Sequence, residues 1–245
     1  MRIIFSRKGF DSSSGGFPSP IVNDTPVSLY IPTSRRSETT YAQAGLGELV
    51  EQVTRGKLSR TALCHEDPVF ASSRWAFGQT GRAQSHLESQ GVGLGDYFLF
   101  FGLFSQLGGK DRHHRIYGWM KVEEIHRLGA APTAGDSPAG FPHRHPHTIG
   151  EWEANNTIYI GTGAKSAVAY PGLRLTKAGS PVSTWAIPSW LCEGGLSGNP
   201  AGPRWSVGGQ VTVAGRGQEF VADIGGRTDA IEWLDTVRTT IGGDA

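Results

Sequence analysis

The chain has 245 residues, enough for one sizeable hydrophobic core, and its 35 glycines and 14 prolines account for a low hydrophobic share of 38%. Its 23 basic and 22 acidic residues leave a formal net charge of +1, which excludes a global positive field that would attract nucleic acid. Cys64 and Cys192 lie far apart and do not form a CxxC pair, so nothing in the sequence supports a thiolate zinc site or a disulfide framework. Without a signal-peptide pattern or an apolar run of membrane-spanning length, we expect a cytoplasmic protein that makes no membrane contact.

The opening segment joins a short apolar strand to a polar loop. Residues 3–5 are apolar, and the loop after them carries Arg7, Lys8 and Asp11 ahead of two glycines at 15–16. Cationic side chains bind phosphate or carboxylate, and glycines permit backbone conformations that present N–H groups to an anion. The segment has neither a P-loop nor a Rossmann fingerprint, so we predict an anion-binding loop of another kind. The alternative is an ordinary polar turn.

Apolar spacing predicts the elements of the first half of the chain. Alternating and helical spacings give a strand over 27–32 and helices over 46–58 and 82–90. The continuous apolar run Tyr97–Phe104 predicts a central strand that is buried on both faces. After a polar turn at 108–114, residues 116–125 predict a second strand that pairs antiparallel with the first.

In the second half, the pattern predicts a strand over 155–161, a strand near 220–223 and a closing helix over 228–241. Strands therefore dominate the middle of the chain, and helices are few. We predict one α+β domain over 1–245, with a mostly antiparallel, partly barrel-like sheet and few flanking helices.

His65, Glu66 and Asp67 are consecutive side chains that handle metals or protons, and they stand directly before Pro68. Adjacent residues of an extended segment point in opposite directions, so at most two of them can face one site. Together with Asp11 and a histidine from a later loop, they could hold a hard divalent cation or perform acid–base chemistry. The alternative is a polar turn before the proline.

A second candidate metal-binding segment carries histidines at 143, 145 and 147. Residues spaced by two project to one side of an extended segment, so these imidazoles could converge on one ion, and we take His145 and His147 as candidate ligands. The alternative is a solvent-exposed histidine-rich loop, because Pro146 allows other conformations. The cofactor prediction is accordingly limited to a divalent metal.

Near the end of the chain, Arg216, Gln218 and Glu219 surround a glycine. Arginine can clamp a phosphate with two hydrogen bonds, and an amide and a carboxylate can read the edge of a base. The alternative for this segment is a plain hairpin turn.

Several separated segments carry a resemblance to a known family. They are FSRKGFDS at 5–12, the glycines at 15–16, SPI at 19–21, CHEDP at 64–68, GDYFLFFG at 95–102, HPH at 145–147, NTIY at 156–159, the Trp-Pro-Trp positions of 185–190 and RGQEF at 216–220. With these segments the chain resembles the nucleotide-modification-associated domain family, third type, of bacteria and double-stranded DNA phages. The resemblance implies a DNA-modification setting with a nucleotide or DNA as partner, and it implies no particular reaction.

Residues 95–101 and 115–123 are also similar to the paired strands of PUA-like barrels, which include readers of modified bases. This local similarity implies a rival hypothesis, a binding module that reads modified DNA without chemistry. Such a reader would need an aromatic-lined pocket for a flipped base and no cluster of perturbed carboxylates.

The leading hypothesis is an enzyme, a transferase or a hydrolase, that acts on a nucleotide or a DNA base. The catalytic candidates are Asp11, His65, Glu66 and Glu219. The substrate-binding candidates are Ser6, Arg7, Lys8, Ser13, Asn156, Arg216 and Gln218. The hypothesis carries a spatial prediction: the opening loop should line one cleft with His65 and Glu219.

Overall fold

The protein is described here by a computed structural model that covers residues 1–197, 205–206, 209–213 and 219–242. The strands are β1 (Arg2–Arg7), β2 (Ser19–Val22), β3 (Thr25–Pro26), β4 (Ile31–Pro32), β5 (Cys64–His65), β6 (Val69–Ala71), β7 (Arg74–Gln79), β8 (Tyr97–Gln106), β9 (His113–Lys121), β10 (Glu124–Arg127), β11 (Thr157–Lys165), β12 (Thr184–Ala186), β13 (Trp205–Ser206), β14 (Gln210–Thr212) and β15 (Glu219–Asp223). The helices are α1 (Gly47–Thr54), α2 (Gly81–Ser89), α3 (Ser189–Gly194) and α4 (Thr228–Ile241). None of the helices in these ranges has the length and apolar character needed to cross a membrane.

A large open sheet organises the molecule. Its main path runs β15-β1-β8-β9-β11-β7-β6, with β10 beside β11 and the hairpin of β2 and β3 beside β8. Along it, β8 pairs in parallel with β1 and β2, and the other pairings are antiparallel. These features confirm the α+β prediction with a mostly antiparallel sheet. The sheet does not close on itself, because in the described part of the chain its outer strands β15 and β6 each pair on one side.

β8 is the central buried strand that its apolar sequence predicts. Leu99 and Phe101 pack in one core cluster with Trp185, whereas Phe98 and Phe100 pack in a second cluster on the other face. Because both faces are buried, the strand shows no apolar–polar alternation. β9 is its antiparallel neighbour, as predicted.

Several predicted boundaries differ from the structure. The strand predicted over 27–32 is limited to β4 at Ile31–Pro32, and the strand predicted over 116–125 ends at Lys121, with β10 beginning at Glu124. The helix predicted over 46–58 ends at Thr54, because Arg55 adopts a left-handed conformation with φ of 56° and stops the helix. The polar turn predicted at 108–114 is shorter, because β9 already begins at His113 and the first residues of that strand are buried.

The sheet pairing brings three element ends together. β1 is antiparallel to β15, so Ser6 near the end of β1 lies opposite Glu219 at the start of β15. β1 is also paired with β8, which places Arg7 beside Phe101. β7 ends at Gln79 and leads almost directly into α2. The end of β1, the start of β15 and the start of α2 therefore border the same space.

Asp96 fixes the start of β1 against the turn before β8. Its Oδ1 accepts a hydrogen bond from the Arg2 N–H at 2.7 Å, and its Oδ2 accepts one from the Gly93 N–H at 2.9 Å. We expect Asp96→Ala to lower the free energy of unfolding by about 1–3 kcal/mol, because two partly buried N–H donors lose their acceptor. Asp223→Ala removes an exposed carboxylate that lies 3.6 Å from the Arg2 guanidinium. It should lower the unfolding free energy by less than about 0.5 kcal/mol. Urea unfolding of both variants checks this, and equal losses would contradict it.

Candidate functional site

A cleft of about 790 Å³ opens where the end of β1 meets the starts of β15 and α2. Arg7, Lys8 and Asp11 line this cleft together with His65 and Glu219. The structure thus brings together the five side chains for which the sequence predicted a common cleft. Their chemical roles stay predictions.

Glu219 is the most enclosed carboxylate of the cleft, with a side chain that is 1% exposed. Its Oε1 accepts hydrogen bonds from Ser6 Oγ at 3.1 Å, Lys8 Nζ at 3.1 Å and Gln79 Nε2 at 2.8 Å. Its Oε2 is buried and has no hydrogen-bond partner among the described residues. One carboxylate oxygen is therefore held in place by three donors, while the other keeps its acceptor capacity.

The opening loop brings positive charge to the cleft. Lys8 Nζ lies 4.3 Å from the centroid of the Phe77 ring, and the Arg7 guanidinium lies 5.5 Å from that of Phe101. Burial lowers the pKa of Arg7 below its ordinary value, and the nearby charge of Asp11 offsets part of this effect. An arginine keeps its charge at neutral pH in either case, so a cation stays at the edge of the apolar core.

Asp11 organises the loop that follows β1. Its Oδ1 accepts hydrogen bonds from the Ser13 N–H at 2.8 Å, the Ser13 hydroxyl at 2.8 Å and the Ser14 N–H at 2.7 Å. This is the hydrogen-bond pattern of an Asx turn. Gly15 follows with φ of +85° and lies against Phe10, where an added Cβ would approach the ring to 2.6 Å. The loop therefore depends on this aspartate and this glycine for its shape.

Asp67 stands between two histidines on another wall of the cleft. Its Oδ2 lies 3.7 Å from His65 Nε2 and 3.8 Å from His147 Nε2. The three side chains offer ligand atoms that all lie within 4.8 Å of one another. Both separations from Oδ2 exceed hydrogen-bond length, so these atoms surround a gap.

The backbone of β7 anchors this cluster. The Gly78 N–H donates a hydrogen bond to Asp67 Oδ1 at 2.9 Å, and His145 Nε2 lies 3.4 Å from the same oxygen. Burial raises the pKa of Asp67, but the neighbouring His145, His65 and His147 side chains outweigh burial and hold the pKa well below its usual value. Asp67 is therefore ionised at neutral pH.

His147 is held in one tautomer. Asn156 Nδ2 donates to the backbone oxygen of His147 at 2.9 Å, so Asn156 Oδ1 is the atom that faces His147 Nδ1 at 2.6 Å. An amide oxygen only accepts hydrogen bonds, so Nδ1 carries the proton and Nε2 presents its lone pair to Asp67 and His65. Burial lowers the pKa of His147 to about 3, which keeps the ring neutral. The ring also stacks on Trp152 with centroids 4.2 Å apart.

Several predicted site residues take other positions. Glu66 is not among the residues that line the cleft, and it accepts a hydrogen bond from His143 Nδ1 at 2.7 Å. Ser6 and Asn156 are buried behind the lining, where they hold Glu219 and His147. Ser13 is exposed and is not among the residues that line the cleft. Arg216 and Gln218 lie outside the described residues.

The structure places His145 and His147 of the histidine-rich segment beside Asp67. His145 and His147 are only 1% and 3% exposed, so this segment is not a solvent-exposed loop. Binding of a metal by His145 and His147 stays a prediction: His145 Nε2 lies 3.4 Å from Asp67 Oδ1, and His147 Nε2 lies 3.8 Å from Asp67 Oδ2. The second histidine beside the Oδ2 gap is His65.

The sequence as a whole matches a family model, nucleotide modification associated domain 3, over residues 2–223. The chain belongs to this family. No curated protein and no solved structure matches it. The family supports a setting in DNA or nucleotide modification for this domain, and its description names no reaction.

Several residues that line the cleft of this nucleotide modification associated domain, among them Arg36, Gln79 and Arg82, are not candidates on sequence grounds. Gln79 is the last residue of β7 and stands almost directly before α2, a position that often faces a ligand. Our catalytic candidates include Glu66 of the triplet His65, Glu66 and Asp67, whereas the structure places Asp67 in the cleft lining. The alternation rule allows His65 to face a site with Asp67, but the sequence alone does not tell which side of the segment faces the cleft.

Proposed function

We propose that this protein is an enzyme that acts on a nucleotide or on a base of DNA within a DNA-modification pathway. The observation that carries the proposal is Glu219, a buried carboxylate with one oxygen held by three donors and a second oxygen without a partner among the described residues. A carboxylate so fixed at the wall of a cleft is suited to accept a proton from a bound substrate.

The size of the cleft favours a small substrate. Ligand pockets for single small molecules have volumes of about 300–1,000 Å³, and the cleft volume of about 790 Å³ falls in that range. A free nucleotide, or one nucleotide flipped out of a DNA strand, is of this size class. The near-zero net charge of the chain agrees with recognition in a local pocket rather than along a duplex.

Cationic and acidic side chains line the cleft in equal number, so its formal charge is balanced, and the arginines are the groups that can bind a phosphate. The cations are Arg7, Lys8, Arg36 and Arg82, and the carboxylates are Asp11, Asp67, Glu153 and Glu219. Arg82 is the second residue of α2. The Gly81 N–H at the start of α2 already donates to Asn155 Oδ1 at 2.8 Å. The N-terminus of a helix nevertheless carries partial positive charge, which favours a phosphate near Arg82. In this arrangement the arginines bind the phosphate, and Gln79 and Lys8 set the position and charge of Glu219.

The alternative is a reader that binds a modified base without chemistry. A reader needs exposed aromatic faces on which a flipped base can stack. Apart from histidines, the aromatic residues among the described lining are Trp152 and Phe220. Trp152 is already stacked on His147 and lies under the Arg36 guanidinium, and Phe220 is buried. This crowding favours the enzyme over the reader.

The proposal is tested by incubating the purified protein with deoxynucleotides and with modified and unmodified DNA, with and without Mn²⁺ or Zn²⁺. Mass spectrometry of the recovered nucleotides, and of nucleosides after digestion of the DNA, detects any change. We expect one substrate class to change mass with the wild-type protein and to stay unchanged with Glu219→Gln. Glu232→Gln, an exposed substitution on α4, is the matched control and should act like wild type. Binding of modified DNA without any mass change would favour the reader instead.

A further inference from the structure

We propose that His65, Asp67 and His147 form a binding site for one divalent transition-metal ion that is open to the cleft. The ligand atoms are His65 Nε2, Asp67 Oδ2 and His147 Nε2. The inference rests on the geometry of these three side chains and does not depend on the reaction proposed above.

The spacing of the three atoms fits an ion better than a hydrogen-bonded network. A structural histidine–aspartate pair places N and O about 2.7–3.2 Å apart, whereas Asp67 Oδ2 stands 3.7 and 3.8 Å from the two imidazole nitrogens. Ligands that bind one ion at about 2.0–2.2 Å lie roughly 3–4 Å from one another. A small inward movement of His65, the least buried of the three side chains, would complete the coordination.

The surroundings prepare each ligand for this role. Asn156 holds His147 in the tautomer whose Nε2 can bind a metal, and such a partner on the other ring nitrogen is typical of metal-binding histidines. The Gly78 N–H occupies Asp67 Oδ1 and so leaves Oδ2 to face the gap. Two nitrogen ligands and one carboxylate suit ions such as Fe²⁺, Mn²⁺, Co²⁺ and Zn²⁺ better than Ca²⁺ or Mg²⁺, which prefer oxygen.

The site keeps room for further ligands. All three residues line the cleft, so an ion bound by them has protein on one side and open space on the other. A closed structural site would offer four protein ligands, whereas three protein ligands with an open position are typical of sites that bind water or substrate. The open side faces the same cleft as Glu219.

The test is direct metal binding to protein that has been freed of metal by a chelator. Calorimetric titration with Zn²⁺ or Co²⁺, followed by elemental analysis after desalting, should give one ion per chain. The visible absorption of bound Co²⁺ should report nitrogen and oxygen ligands. We expect His65→Ala and Asp67→Asn to weaken binding at least about 100-fold, and Asn156→Ala to weaken it about 10–100-fold.

His126→Ala is the matched control, because His126 also pairs with a carboxylate, Glu124, but lies outside the cleft. It should bind the metal as wild type does. Circular dichroism melting shows which variants fold, and the partly exposed His65→Ala decides the question if the buried substitutions unfold the protein. No ion bound by the wild type, or equal affinity of wild type and His65→Ala, would overturn the proposal. Metal binding with no turnover would leave this site standing and reject only the enzyme function.

Discussion

Glu219→Gln should lower turnover at least about 100-fold, the lower end of what a positioned acid–base group contributes. The substitution keeps the shape of the side chain but removes its charge and its capacity to take up a proton. It also leaves Lys8 without its anionic partner, which lies 3.1 Å away. Loss of one partner of a buried pair costs about 3–5 kcal/mol. Since Lys8 reaches the cleft, we expect a smaller loss of about 1–3 kcal/mol of unfolding free energy here.

A second substitution separates the two effects. In the double variant Lys8→Met/Glu219→Gln neither charge remains, so the unfolding free energy should recover most of the loss. Turnover should stay at the level of Glu219→Gln, because no carboxylate is restored. Denaturant unfolding and initial rates on the substrate found by mass spectrometry measure both quantities. Recovery of turnover in the double variant would mean that Glu219 serves only to neutralise Lys8.

Much of the fold is predictable because local patterns decide it. The run Tyr97–Phe104, interrupted by Gly102, is apolar on both faces of an extended segment, and a central strand buried on both faces accommodates such a run. Helix α4 over Thr228–Ile241 has the predicted bounds, since its apolar positions recur at helical spacing and Gly242 ends it. Local patterns do not predict whether the sheet closes into a barrel or stays open. Closure depends on which distant strands pair, and the residues within each strand carry no signal for that pairing.

The same distinction between local patterns and long-range pairing applies to the candidate site. Residue chemistry, placement at strand ends and the family resemblance together select Arg7, Lys8, Asp11, His65 and Glu219, which line one cleft. The contacts between them follow from long-range pairing. Ser6 meets Glu219 only because β1 and β15 are antiparallel in that register. His147 meets His65 only because its segment packs under β7, with no sequence signal for that contact.

Gly78 is the residue whose replacement should disturb the histidine–aspartate cluster most. A Cβ at this position would lie 2.2 Å from His147 Cδ2 and 2.4 Å from Cγ, far inside contact distance. The ring cannot easily move away, because it stacks on Trp152 and its Nδ1 is bonded to Asn156. We expect Gly78→Ala to displace His147, to weaken metal binding about 100-fold and to lower the unfolding free energy by about 1–3 kcal/mol.

Gly118→Ala provides the matched control, since a Cβ there would lie 2.6 Å from Trp75 Cη2, a buried ring of the core away from the cleft. Gly118→Ala should lower the unfolding free energy by a similar amount, because its added methyl group also forces a buried ring, that of Trp75, to shift. The metal affinity of Gly118→Ala should stay at the wild-type value, because the added methyl group lies against Trp75 and not against a metal ligand. Calorimetric titration and denaturant unfolding of both variants make the comparison. If both lose metal binding together, general loosening of the fold explains the loss; if only Gly78→Ala loses it, the position of His147 does.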